Sequence, residues 1–167
     1  IRRRKNMEML RQLSYFDSLT NAYNRNAYFS ELERLEEEGK GTLGIAYIDV
    51  NGLKRVNDTQ GHKAGDRLIV SVADKLFRYL PGGKVYRTGG DEFIVFCKDI
   101  SESEFQTMIE HLQSSWDEQS SAAIGYIWMD KIEQVESKVS VAEKMMYIGK
   151  RKFYERRGMD RRGDARR

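Results

Sequence analysis

Residues 43–49 read Leu-Gly-Ile-Ala-Tyr-Ile-Asp, a nearly continuous apolar run that stops abruptly on a carboxylate and continues as Val50-Asn51-Gly52. A short apolar run without alternation is the pattern of a strand buried on both faces. Toward the C-terminus, residues 64–80 place Ile69, Val72, Ala73, Leu76 and Leu80 on one helical face, and Pro81-Gly82-Gly83 ends that helix. Residues 84–88 and 92–98 read as two strands joined by a tight turn at Gly89-Gly90, a pair suited to the positive-φ positions of a hairpin. Ser101 to Glu104 is a capping box, opening a helix to about residue 117 with Phe105, Ile109, Leu112 and Trp116 inward. Residues 122–128 form another strand, and Ser140 to Glu143 repeats the capping pattern to open a last helix to about residue 154.

On the N-terminal side, residues 25–38 read as a helix with Tyr28, Leu32 and Leu35 in step and Gly39 as its stop. Residues 2–16 read as a further helix whose stripe, Met9, Leu13 and Phe16, is narrow, as in a linker or coiled-coil helix. From Leu43 the order is β-α-β-β-α-β, then a helix. This is an α+β, ferredoxin-like or palm-type core, with a central antiparallel (mixed) sheet flanked by helices. Its usual sheet sets the first strand beside the third, and a right-handed crossover makes the first and second strands parallel. Asp49 then ends beside the hairpin turn that carries Asp91 and Glu92. Crowded carboxylates repel and resist burial. A hard divalent cation with oxygen ligands resolves that conflict and favours phosphate as a further ligand, the arrangement used in nucleotidyl transfer.

Composition narrows the alternatives. A chain of 167 residues is one domain with short ends, here a linker helix at 1–16, a domain at 17–155 and a basic tail at 156–167. Seven Phe, nine Tyr and two Trp are enough for a real core despite 33% charged residues. One Cys and two His exclude a disulfide framework and a Cys/His zinc site. Cys97, in an apolar strand, reads as a small buried hydrophobe. No run approaches the roughly 20 apolar residues of a membrane span and no signal peptide opens the chain, so the expected setting is cytoplasmic, including the cytoplasmic part of a membrane-anchored protein. The net charge of +3 hides an asymmetry: residues 1–5 and 156–167 carry +4 each, which leaves 6–155 at −5. A folded face that binds nucleic acid would be basic, so no nucleic-acid partner is expected.

Gly89-Gly90-Asp91-Glu92-Phe93 resembles the GGDEF signature of diguanylate cyclases, and further matches follow the family's order. Asp17-Ser18-Leu19-Thr20 with Asn24-Arg25 resembles its opening motif, and Asp49-Val50-Asn51-Gly52-Leu53-Lys54 its metal and phosphate loop. Residues 57–66, Asn-Asp-Thr-Gln-Gly-His-Lys-Ala-Gly-Asp, Ile124-Gly125, and Ala142-Glu143 through Met146-Tyr147 to Lys150 complete the resemblance over about residues 15–155.

The resemblance implies a cyclase that condenses two GTP into cyclic di-GMP and two pyrophosphates at a homodimer interface, under an upstream sensor domain. It implies Mg²⁺, with Mn²⁺ an alternative, on Asp49, the Val50 carbonyl and Asp91. Glu92 is implied as a further ligand or an acid–base group, so that Asp91 and Glu92 are the catalytic pair. Lys54, Lys150 and Arg87 are implied near the phosphates, Asn57 and Asp66 at the guanine, and Gly89 and Gly90 where the nucleotide approaches the hairpin. A guanine N1–H and N2–H₂ pair suits one carboxylate acceptor, which adenine does not offer. His62 reads as bracing its loop rather than as a base. The chain departs from the family at Asn51, where many members have Asp, and at Leu80 and Gly83, where the product-binding RxxD would need Arg and Asp. A domain that binds GTP as a regulatory input without turnover is the alternative reading.

Overall fold

The computed structural model describes residues 2–158, leaving aside the side chains of residues 2 and 11–13. Leu13 of the expected stripe and most of the basic C-terminal tail therefore lie outside the described residues. Helix α1 (Arg2–Tyr15) precedes α2 (Arg25–Glu38), which starts on an Asn24 cap accepting from the Ala27 N–H and ends at Gly39. Strand β1 (Leu43–Val50) is buried along its whole length. Then come α3 (Leu53–Gln60), α4 (His62–Tyr79), β2 (Lys84–Arg87), β3 (Glu92–Lys98), α5 (Glu102–Ser114), β4 (Ala122–Met129) and α6 (Val135–Arg156).

The four strands are ordered β2-β3-β1-β4, and neighbours are antiparallel. β1 lies beside β3, as the sequence pattern predicts, in a register that sets Asp49 opposite Glu92. Alternation along β1 divides the core. Ala46, Ile48 and Val50 join a cluster with Val72, Leu76, Ile109 and Leu112 of α4 and α5. Ile45 and Tyr47 join the other cluster, with Tyr28 and Leu35 of α2 and Val139, Ala142 and Met146 of α6. No helix among the described residues is long and apolar enough to cross a membrane.

Four local expectations change. First, α3 was not expected: residues 53–60 bury no side chain fully, so they carry no apolar stripe to read. Second, the last helix begins at Val135, five residues before the Ser140 capping pattern, and Ser140 instead donates to the Glu136 carbonyl inside the helix. The N-terminus of α6 is capped from elsewhere, by the Glu36 carboxylate of α2, which accepts from the Val135 N–H at 2.5 Å. Third, α5 stops at Ser114, and Trp116 packs from the following turn rather than from the helix. Fourth, neither Gly89 nor Gly90 has positive φ. The turn is wider than a two-residue hairpin, closed by the Thr88 N–H donating to the Glu92 carbonyl at 3.1 Å.

Candidate active site

Asp49 is the second-to-last residue of β1 and only 4% exposed. The neighbouring Val50 N–H donates to the Asp91 carbonyl at 2.8 Å, which holds the hairpin turn against the end of β1. From α6, the Lys150 ammonium forms an ion pair with the Asp49 carboxylate and lies 3.9 Å from Asp91 Oδ2. One cation thus sits between two carboxylates drawn from β1 and the hairpin. Burial pushes the Asp49 carboxyl up, to about 6; Lys150 pulls it down, and the charges of Asp91 and Glu92 oppose that pull. The electrostatic reading is simple: this end of the sheet is built around a positive charge, and Lys150 supplies one.

Glu92, opposite Asp49 in the register, shares the α2/α6 side of the sheet end and feels the charges of Asp91 and Lys150. It accepts from the Tyr47 hydroxyl and lines a cavity of about 230 Å³ with Arg25, Thr88 and Glu143. Burial and the charges of Asp91 and Glu143 push its carboxyl up. Among the described residues no group of three or more His, Cys, Asp or Glu side chains is gathered closely enough to hold a metal. The carboxylates that converge on a cation are Asp49 and Asp91.

The Arg87 guanidinium is committed within the protein. It pairs with Asp17 at 3.1 Å and donates to the Gly90 carbonyl at 2.7 Å. Asp17 in turn accepts from the Thr20 N–H and hydroxyl, at 3.0 and 2.7 Å. Tyr23 bridges to the free edge of β2, where its N–H donates to Val85 and its carbonyl accepts from the Arg87 N–H. Phe16, Tyr23 and Tyr86 continue this contact as a ring stack. The segment leaving α1 is thereby bound to the hairpin turn, and any phosphate contact by Arg87 would compete with these bonds.

Lys54 and Asn57 lie three residues apart on α3, and Asp66 is in the first turns of α4. Asn57 lies directly over Gly65: a Cβ built there would stand 1.8 Å from Asn57 Oδ1. Glycine at 65 is what lets Asn57 pack against α4, next in sequence to Asp66. Gly125 has a similar role under α6, since a Cβ there would stand 1.9 Å from the Ala142 carbonyl and 2.4 Å from the Met146 nitrogen. That close approach carries α6, and with it Lys150, onto the sheet. Gly90 has open space where a side chain would project. Leu80 is 1% exposed and Gly83 has Val95 Cγ1 at 2.9 Å from a built Cβ, so this segment offers neither an arginine nor room for an aspartate.

Sequence reasoning did not find the Tyr47 bond to Glu92, though the two-residue spacing of Tyr47 and Asp49 puts them on the same face of a strand. It also paired Asp17 with nothing, because its partner lies 70 residues away.

The comparisons agree with this geometry. The family description "Diguanylate cyclase, GGDEF domain" matches residues 14–156. A diguanylate cyclase of Escherichia coli, DgcN, is 37% identical over 114 residues, covering 65% of this chain and 27% of that protein. An uncharacterized membrane protein of Staphylococcus saprophyticus is 27% identical over 153 residues, covering 83% of this chain and 43% of that one. The chain thus spans less than half the length of these curated relatives. The crystal structure of the coiled coil and GGDEF domain of DgcB from Caulobacter crescentus, in complex with c-di-GMP, superposes with a TM-score of 0.77 at 28% identity, covering 90% of this chain and 87% of that one. The FimX GGDEF domain from Pseudomonas aeruginosa shares the fold, with a TM-score of 0.75 at 19% identity over 83% of this chain and 95% of that one. With Asp49, the Asp91 hairpin and Lys150 assembled at one end of this sheet, the chain belongs to the family of GGDEF domains, the domain of diguanylate cyclases.

Proposed function

We propose that this domain condenses two GTP molecules into cyclic di-GMP, with release of two pyrophosphates, when two protomers face each other. The observation that carries the reading is the convergence of the Asp49 and Asp91 carboxylates on a single positive charge at the end of β1. The residues present suit a divalent cation in that position: two carboxylates, the Val50 carbonyl at the strand end, and a lysine already standing in as the counter-charge. When bound, Mg²⁺ or Mn²⁺ supplies polarisation of the phosphates and eases deprotonation of the attacking hydroxyl. With a cation on Asp49, Lys150 would be available, with Lys54 on α3, to hold phosphate oxygens. Asp66 accepts the guanine N1–H and N2–H₂ pair while Asn57, seated on Gly65, bonds a second edge of the base. Glu92, with its raised carboxyl pKa, is the group beside the site that is suited to hold or pass a proton. The ribose hydroxyl of one protomer meets the α-phosphate held by the other, so rate rests on positioning and charge stabilisation.

The test is incubation with GTP and Mg²⁺ followed by nucleotide separation, at a series of protein concentrations. Cyclic di-GMP should appear, with specific activity rising with concentration because the site is completed by a second copy. An upstream sensor preceding α1 would set that pairing, in a cytoplasmic setting. One observation favours a second reading, a GTP-binding regulatory module: the Glu92 carboxylate is engaged by the Tyr47 hydroxyl as well as by the Lys150 charge. GTP binding without pyrophosphate release would establish that reading instead.

A further inference from the structure

Behind Asn51-Gly52 lies a cavity of about 470 Å³ that neither the fold nor the proposed reaction requires. Its α3 wall is formed by Arg55, Val56, Thr59 and Gln60, whereas Lys54 and Asn57 take no part in it. At 3.6 residues per turn these two sets lie on opposite sides of α3. The cavity therefore lies across α3 from Lys54 and Asn57, and meets the loop after Asp49 from behind, at Asn51-Gly52. The facing wall is Arg157, just past the end of α6, whose guanidinium stands 4.7 Å from the Phe153 ring centre.

Asn51 lines the cavity between them and is 8% exposed. Its Nδ2 donates to Ser121 Oγ at 3.1 Å, while its buried Oδ1 has no partner. A buried polar atom left unpaired is costly and is a sign of a missing partner. Because the Ser121 hydroxyl both donates and accepts, the amide can turn and offer its NH₂ to the cavity instead. The third wall, the loop from α5 to β4, is fastened in advance. Lys75 donates to the Ser115 and Ser120 carbonyls and to Asp117, at 2.8, 3.0 and 3.0 Å, and Ser71 bonds Ser120 at 2.9 Å. Glu118, on that loop, is the one acidic side chain in the lining.

We propose that this cavity is a second anion site, holding a small inorganic phosphate or polyphosphate between Arg55 and Arg157 with the Asn51 amide beside it. Two guanidinium groups in one lining suit the tetrahedral oxygens of phosphate, which arginine can bind through paired N–H donors. The anion would lie against the loop that follows Asp49, across α3 from Lys54 and Asn57.

Calorimetry on the full chain without divalent cation tests this, with inorganic pyrophosphate and orthophosphate titrated separately to show which anion the cavity prefers. One anion should bind per chain. Arg157→Glu and Arg55→Glu, both at exposed positions where the fold does not depend on the side chain, should each weaken binding by about tenfold or more. Glu118→Gln should tighten it a few-fold, and Lys131→Ala, exposed at the opposite end of the sheet, should leave it unchanged. The proposal is overturned if neither anion binds at millimolar concentration. It is equally overturned if both arginine variants keep binding while Lys54→Ala, on the other side of α3, abolishes it. Loss of GTP turnover has no bearing on these titrations, so their failure and that of the proposed cyclase reaction are separate results.

Discussion

On β1, side chains that point toward α4 and α5 are Ala46, Ile48 and Val50, whereas those toward α2 and α6 are Ile45, Tyr47 and Asp49. The first face is closed by apolar groups, among them Val72, Leu76, Ile109 and Leu112, each at 0% exposure, and the Phe93 and Phe105 rings. Its ionisable member, Cys97, is pushed up to about 12 by burial and stays a neutral thiol. The second face is aromatic and polar. Burial pushes the hydroxyls of Tyr28, Tyr47 and Tyr86 up, that of Tyr28 to about 12, and the same face holds the Asp49–Lys150 pair. A dry, non-polar face holds the sheet in shape; on the other face, charged groups are kept at the sheet end only because each has a partner. In the proposed reaction the α4 side contributes as well, through Asn57, which lies over Gly65, and the exposed Asp66. On that reading the site draws on both layers at the end of the sheet.

This contrast can be broken at its polar end first. Asp91→Ala removes a carboxylate from a partly exposed turn and leaves both apolar clusters intact. Cyclic di-GMP formation should fall by a hundredfold or more, on the order of 3 kcal/mol of lost transition-state stabilisation, with the thermal midpoint nearly unchanged. Near-parent turnover would show that the carboxylate pair is not the reacting centre.

Gly125→Ala strikes the attachment of the polar face. The added methyl meets the α6 backbone at Ala142 and Met146, which cannot move as a side chain would. A loss of about 1–3 kcal/mol in denaturant unfolding is expected, with reduced turnover because Lys150 is displaced along with its helix. Unchanged stability would mean that α6 has room to shift freely.

Asp66→Ser addresses the contribution of the other layer. Removing the paired acceptor should lower the preference for GTP over ATP by about tenfold or more, read in competition assays, while the fold is kept. Undiminished discrimination would assign base reading to other groups.

The smallest effect concerns acid stability. Burial pushes the Asp17 carboxyl up, but hydrogen bonds from Thr20 and the Arg87 guanidinium outweigh it and hold the group below the usual carboxylate range. A depressed folded-state pKa contributes stability above the unfolded-state value, near 3.8, and loses it as pH falls through the lowered value. Arg87→Ala should therefore lower stability near neutrality and flatten the acid limb, the two profiles converging once Asp17 is protonated in both. A constant offset that persists at the lowest pH would show that Arg87 does not hold Asp17 ionised.

Much of the chain was legible because its signals are local. Gly39, Pro81 and the Ser101 cap mark ends through their own backbone chemistry, and the apolar run at 43–49 and the stripe at 69–80 report burial through periodicity alone. Once the strand order followed from the β-α-β-β-α-β pattern, the meeting of Asp49 with Asp91 followed from register. The start of α6 was not legible, because the Glu36 carboxylate that caps Val135 lies 99 residues earlier and replaces the local signal that Ser140 imitates. Helix α3 was not legible either, because a helix with no fully buried residue has no stripe to read. The partner of each charge lay beyond sequence reasoning for the same reason. Arg87 and Lys150 were both read as lying near phosphates, but nothing local to either predicts that Asp17 and the Gly90 carbonyl stand beside the first, or that α6, seated on Gly125, brings Asp49 to the second. Residue types and spacing determine which groups can ionise, cap or pack. Only the tertiary structure decides which of them stand within bonding distance, because that depends on how closely separate backbones approach.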